Sequence, residues 1–243
     1  MKAEQGKSEL APPEELAHLR LLHLADSAFP IGSLAHSFGL ETLVSAGMLQ
    51  AADLPEFLFS YLQEAGTLEA VSCREAFHLA QTDGEQFPAA RWIEINDCLS
   101  ALKPARESRA ASATLGRNFL HAVMGVGDFP VLRTAREASL ESGGQIHQSA
   151  AFGLVSGALA FDETRAVLAY LHQMGACLIS ACQRLMPLGQ TEATRLLWNL
   201  KPVMIEIAAD SANLNLESVT CTMPLLDWGA MEHPALATRL FVS

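Results

Sequence analysis

The residue types that carry catalysis are present in this chain, but not in the spacings that catalysis needs. Eight histidines (His18, His23, His36, His78, His121, His147, His172 and His233) are scattered along 243 residues. No two stand three or four apart, so no helix offers a metal ion a histidine pair on one face. No metal ligand is assigned; any site would need ligands converging from distant segments. Five cysteines (Cys73, Cys98, Cys177, Cys182 and Cys221) include no Cys-x-x-Cys, and their number is odd. They read as small buried hydrophobes in a reducing compartment. Gly6-Lys7-Ser8 imitates the end of a phosphate-binding loop, but that loop's first glycine would fall on Met1, with no strand before it. Gly125-x-Gly127 begins like a dinucleotide fingerprint and fails at its third glycine, where Pro130 stands. There is no Gly-x-Ser-x-Gly elbow and no aspartate-rich magnesium motif. No catalytic residue is assigned, and the chain reads as a non-enzyme.

The charge points the same way. The net charge is −11, from 27 acidic and 16 basic residues. Phosphate backbones and anionic lipids repel such a surface, so neither nucleic acid nor membrane is expected as a partner. A partner with a basic patch is favoured. Half of the residues are hydrophobic and only 18% are charged. That composition supports a large core, or a core plus a partner-facing surface. The most apolar run, 166–182, is interrupted by His172 and Gln173. It falls short of the ~20 apolar residues a membrane span needs. The polar start, Met1 to Glu15, has no apolar stretch of the secretory kind. A soluble cytoplasmic protein is expected.

The elements that must position these residues are helical. Leu16, Leu19, Leu22 and Leu24 form a stripe after Pro13-Glu14-Glu15. His18, four residues after Glu14, is placed for a surface contact with it. Asp53-Leu54-Pro55-Glu56 reads as an N-cap with its acidic partner three residues on. Further helices are expected over about 68–81, 89–102 and 105–123. The stretch 145–161 is rich in small residues, among them Gly153 and Gly157, which would let another helix approach closely. Asp162 to Arg165 opens a long helix to about Met186, in which His172 reads as a hydrogen-bonded core residue. These two helices look apolar nearly all round, as at a bundle centre or an oligomer interface. A last helix from Thr191 is expected to bend or break near Pro202. Strand signals are nearly absent. The expectation is an all-α, single-domain bundle of roughly eight to ten helices. Residues 1–13 are a flexible lead, 14–208 the domain, and 209–243 a less regular tail suited to partner binding.

Three segments stand out. Leu21 to Glu41 reads as a helix, a break at Phe29-Pro30-Ile31-Gly32, and a second helix with Ser33 as N-cap. Its second half carries His36, Ser37, Gly39 and Glu41. Arg184-Leu185-Met186-Pro187-Leu188-Gly189-Gln190-Thr191 is a turn between helices. The end, Arg239-Leu240-Phe241-Val242-Ser243, holds the residue types that anchor interfaces, and its other reading is a tail tucked on its own core.

In this order the three segments resemble the UreF family of urease accessory proteins. The shared features are Asp-Ser-x-x-Pro-x-Gly followed by His-Ser-x-Gly-x-Glu, Pro-Leu-Gly-Gln-Thr, and the closing Arg-Leu-Phe-x-Ser. Arg109 to Arg117 is also similar to the family's Arg-x-x-Ser…Gly-Arg pattern. The sequence departs at Pro234, where the family continues into a helix, and at Ser33-Leu34, a mild change. The resemblance implies an all-α homodimer that binds the accessory protein UreD (also called UreH) and recruits the GTPase UreG. That assembly docks on apo-urease for nickel insertion. It implies no intrinsic cofactor, nickel and GTP being handled by the partners. It places Arg239, Leu240, Phe241 and Ser243 on a partner-facing surface and, more weakly, His36, Ser37 and Glu41 on a partner-facing or oligomer surface. Two other readings stand beside it: a helical enzyme around a small-molecule pocket, and a generic helical adaptor.

Overall fold

The computed structural model describes residues 13–81 and 87–243. The flexible lead expected over 1–13 thus lies, but for Pro13, outside the described residues. Among the described residues there is no β-strand. The helices are α1 (Glu14–Leu24), α2 (Leu40–Ser45), α3 (Leu54–Tyr61), α4 (Thr67–Leu79), α5 (Ala89–Ala101), α6 (Arg106–Met124), α7 (Pro130–Ser142), α8 (Gln148–Ala158), α9 (Glu163–Leu185), α10 (Gln190–Asn199), α11 (Lys201–Asp210) and α12 (Pro224–Glu232). A π turn, Leu62–Gly66, joins α3 to α4 without a break, and α10 runs into α11 through Leu200. The segments therefore behave as ten helical bodies, as an all-α bundle of this length should. No helix of the described residues is long and apolar enough to cross a membrane.

The centre is α8, whose residues 149–157 are all buried. It lies against α4 at the closest approach in the bundle. A Cβ on Gly153 would stand 1.9 Å from the Cys73 carbonyl oxygen, and one on Gly157 2.3 Å from that of Phe77. The small-residue face is thus spent inside the chain and is not free for a second copy. The long helix α9 opens as expected, with the Asp162 carboxylate accepting from the Arg165 amide at 2.7 Å. The junction at Leu200 places Pro202 in the first turn of α11, where its missing N–H costs nothing.

Several local expectations are corrected. The Asp53 carboxylate does not cap α3; it accepts from the Gln50 amide at 2.9 Å, closing a capping box one turn earlier. Ser33 opens a 3₁₀ turn rather than an α-helix, and its hydroxyl donates to the Ser27 carbonyl. The second helix of that segment waits until Leu40. Glu14 pairs with Arg165 instead of His18. His172 is exposed, because the buried side of α9 runs through Leu171, Gly175, Leu178 and Cys182. Wholly buried instead is His147, at the start of α8. Its Nε2 faces Ser100 Oγ at 2.8 Å, its Nδ1 faces Ser112 Oγ at 3.0 Å, and its amide donates to Asn96 Oδ1 at 2.8 Å. Burial first, then the positive charge of Lys103, lowers its pKa to about 3, so it stays neutral.

Residues 209–243 are not uniformly irregular. An extended stretch leads to α12, which packs on α2 and α6. The approach to α2 depends on two glycines. Gly39 sits at φ +93°, a conformation that disfavours any side chain. A Cβ there would also stand 2.6 Å from the Leu226 carbonyl oxygen, and one on Gly229 2.7 Å from that of Gly39.

Candidate functional site

The C-terminal residues close onto the segment around α2, and one carboxylate organises the contact. Glu41, in the first turn of α2, accepts from the Leu240 amide at 2.6 Å and the Phe241 amide at 3.1 Å. It also meets His233 Nε2 at 2.9 Å. His233 has no exposed surface, and its Nδ1 faces Glu107 of α6 at 2.7 Å. Arg239 lies 3.7 Å from the same Glu107. Burial pushes the Glu41 carboxyl up. The Leu240 amide, His233 and the Phe241 amide outweigh that and hold it below its usual value.

The last residue is fixed from the other side. The Ser243 carbonyl accepts from the Ser37 amide at 2.5 Å and the Phe38 amide at 3.3 Å, and Val242 donates to the Ala35 carbonyl. Ser243 Oγ meets His36 Nδ1 at 2.8 Å. Burial lowers the His36 pKa, which keeps that imidazole neutral. Ser37 is wholly buried, its Oγ at the limit of reach, 3.4 Å, from the Glu41 amide. Phe38 sits at φ +52°, an unfavourable value for a bulky side chain. The Ser243 bonds hold it there. Arg184, at the end of α9, closes the set. Its guanidinium lies 3.9 Å over the Phe241 ring, and its Nη1 donates to the Leu34 carbonyl. The three segments singled out in the sequence therefore meet at one place.

The tail alternates. Phe241 and Ser243 are buried, whereas Leu240 is 59% and Val242 66% exposed. Arg239 is exposed as well, and the preceding α12 leaves Trp228 and Met231 open to solvent. The geometry is that of an anchor with an apolar outer face, not of a reaction centre. Among the described residues no three His, Cys, Asp or Glu side chains converge as a metal site.

The sequence model of the UreF family matches residues 48–201. The chain belongs to the UreF family. Curated relatives cover nearly its whole length. It is 32% identical over 226 residues to the urease accessory protein UreF of Rhodopseudomonas palustris, with 92% of each chain aligned. To that of a Nostoc species it is 32% identical over 227 residues, 93% of this chain and 95% of the relative. To that of a Bradyrhizobium species it is 30% identical over 248 residues, with both chains fully covered. The family match ends at the first residue of α11, so the C-terminal half of the clasp in this UreF member lies beyond it.

Of the site residues expected from sequence, His36, Ser37, Glu41, Phe241 and Ser243 come together, and they face inward. Arg239 and Leu240 are the ones presented outward, joined by Val242. Sequence reasoning missed Glu107 and assigned no role to His233 or Arg184. Arg184 stood in the turn motif and His233 beside the departing Pro234, which was the available signal. Pro234 ends α12 in a 3₁₀ turn and so sets His233 between its two carboxylates. Nothing in the sequence marks Glu107.

Proposed function

We propose that this chain is a non-enzymatic urease accessory scaffold. It bridges a UreD-type (UreH-type) protein, the GTPase UreG and apo-urease during nickel insertion, in the cytoplasm and as a homodimer. It binds no cofactor of its own; nickel and GTP stay with the partners. The observation that carries this reading is full-length similarity to proteins named for urease accessory function. The clasp supports it physically. Buried Phe241 and Ser243 hold the tail, so Arg239, Leu240 and Val242 stand ready on a fixed backbone, and Trp228 and Met231 of α12 are exposed as well. Pre-fixing such groups removes part of the ordering cost of association. The homodimer contact lies elsewhere than the small-residue face of α8, which α4 already covers.

The test separates face from anchor. A Leu240→Asp, Val242→Asp double variant is expected to lose at least tenfold in co-purification with the UreD-type protein. Its melting temperature should stay within about 2 °C of the parent, as for surface substitutions. Undiminished binding by this folded variant would contradict a partner role for the tail.

A further inference from the structure

Beneath α12 lies a cavity of about 120 Å³ that the scaffold role does not use. Its floor is α9, with Tyr170, Gln173, Met174 and Cys177; its roof is Met223 and Leu226 from the tail and α12. The volume is about eight times the ~15 Å³ that one water needs, and somewhat below the ~150 Å³ of a cavity that takes up benzene. It suits a molecule of about four to six heavy atoms.

Gln173 carries the chemical specificity. It is 1% exposed, and its Nε2 donates to the Asp26 carbonyl at 3.2 Å. Its Oε1 is buried and meets no donor. An acceptor left so is penalised, and a ligand N–H or O–H would relieve the penalty. The charged lining argues for a neutral ligand. Glu69 and Lys103 are paired with each other, and the Tyr170 hydroxyl faces Glu69 at 3.4 Å. His36, also on the wall, is kept neutral by burial. Half-buried Asp227 is the remaining acid; burial raises its carboxyl pKa, and its negative charge disfavours an anionic ligand. Leu115, Leu178, Leu226 and the two methionines surround the rest of the space with apolar surface.

We infer that this cavity is a binding site for a small uncharged molecule with an apolar body and an amide or hydroxyl donor directed at Gln173. The probe pair is isobutyramide and isopropyl methyl ketone, which match in size and shape while only the amide carries N–H groups. The full chain, ¹³C-labelled at its methionine methyls, is titrated with each. Isobutyramide should shift the Met174 and Met223 signals saturably, and bind at least tenfold more tightly than the ketone. Gln173→Met should erase that preference. Cys177→Phe should abolish both shifts by filling the space, with the helical circular dichroism retained; if that variant fails to fold, Ala65→Leu serves the same purpose. No saturable shift with either compound, or equal affinity for both in the parent chain, would overturn the inference and leave a water-filled void.

Discussion

Glu41 ties α2 to the C-terminus through three donors, two of them backbone amides only one residue apart. Glutamine keeps the shape but loses the charge and brings an amide NH₂ toward groups that also donate. Glu41→Gln should therefore cost about 1–3 kcal/mol, felt first in the tail. The amides of Leu240 and Phe241 should exchange hydrogen much faster, while those of α8 stay protected. Uniform loss of protection would instead make Glu41 part of the global core. The depressed Glu41 carboxyl adds a pH prediction. Its contribution is present above the ordinary carboxylate range and is lost as pH falls below it, so the tail should loosen as pH falls through that range. Protection of the Leu240 amide against pH reads this directly. At this scale the sequence was half legible. Glu41, His36 and the closing residues were visible as motif members, and a tail tucked on its own core was one of two readings of the last five residues; the inward direction of Glu41 and His36 was not visible. His233 and Glu107 stand 126 residues apart and meet only because α12 folds back on α6. No local spacing encodes such a meeting.

The α4–α8 pair shows an element contact that composition did announce. Small residues at helical spacing promised a close neighbour, and the neighbour is α4. Gly153→Ala puts a methyl group 1.9 Å from a backbone oxygen, which no rotamer change can relieve. We expect a loss of at least about 3 kcal/mol, or roughly 6–12 °C in melting temperature for a chain of this size. Gly189→Ala meets nothing within 4 Å and has an ordinary negative φ, so it should change stability by under about 1 kcal/mol. Calorimetry on the two variants decides the matter; equal effects would contradict the packing argument. Two helices went unread. In α7 the buried stripe is only Leu132, Ala135 and Ser139 amid charged residues. In α12, nine residues flanked by Pro224 and Pro234 follow a polar, helix-poor stretch. Its helicity comes from packing on Gly39 and α6, a tertiary cause that local propensity does not report.

Across the whole molecule, the folded state depends on a neutral His147 at the junction of α5, α6 and α8. Its pKa is about 3 when folded and near 6.5 in an unfolded chain, so the unfolded state takes up the proton more readily. Stability is full above about pH 6.5 and declines as pH falls toward 3, by up to ~1.4 kcal/mol per pH unit. Denaturant midpoints between pH 7 and 4 should follow this slope, and His147→Asn should flatten it. The bundle itself was legible from periodicity, because its helices are long and their apolar faces regular. The fit of the tail to the bundle was not, since it rests on glycines, one buried histidine and a carboxylate from three distant segments. The scaffold reading is tested most directly by co-expressing the chain with a UreD-type protein, UreG and apo-urease, followed by size-exclusion chromatography with light scattering. The account predicts one stable complex containing the chain in two copies, and loss of nickel-dependent urease activity when the chain is omitted. A chain that elutes alone beside folded partners, with urease activated in its absence, would contradict it.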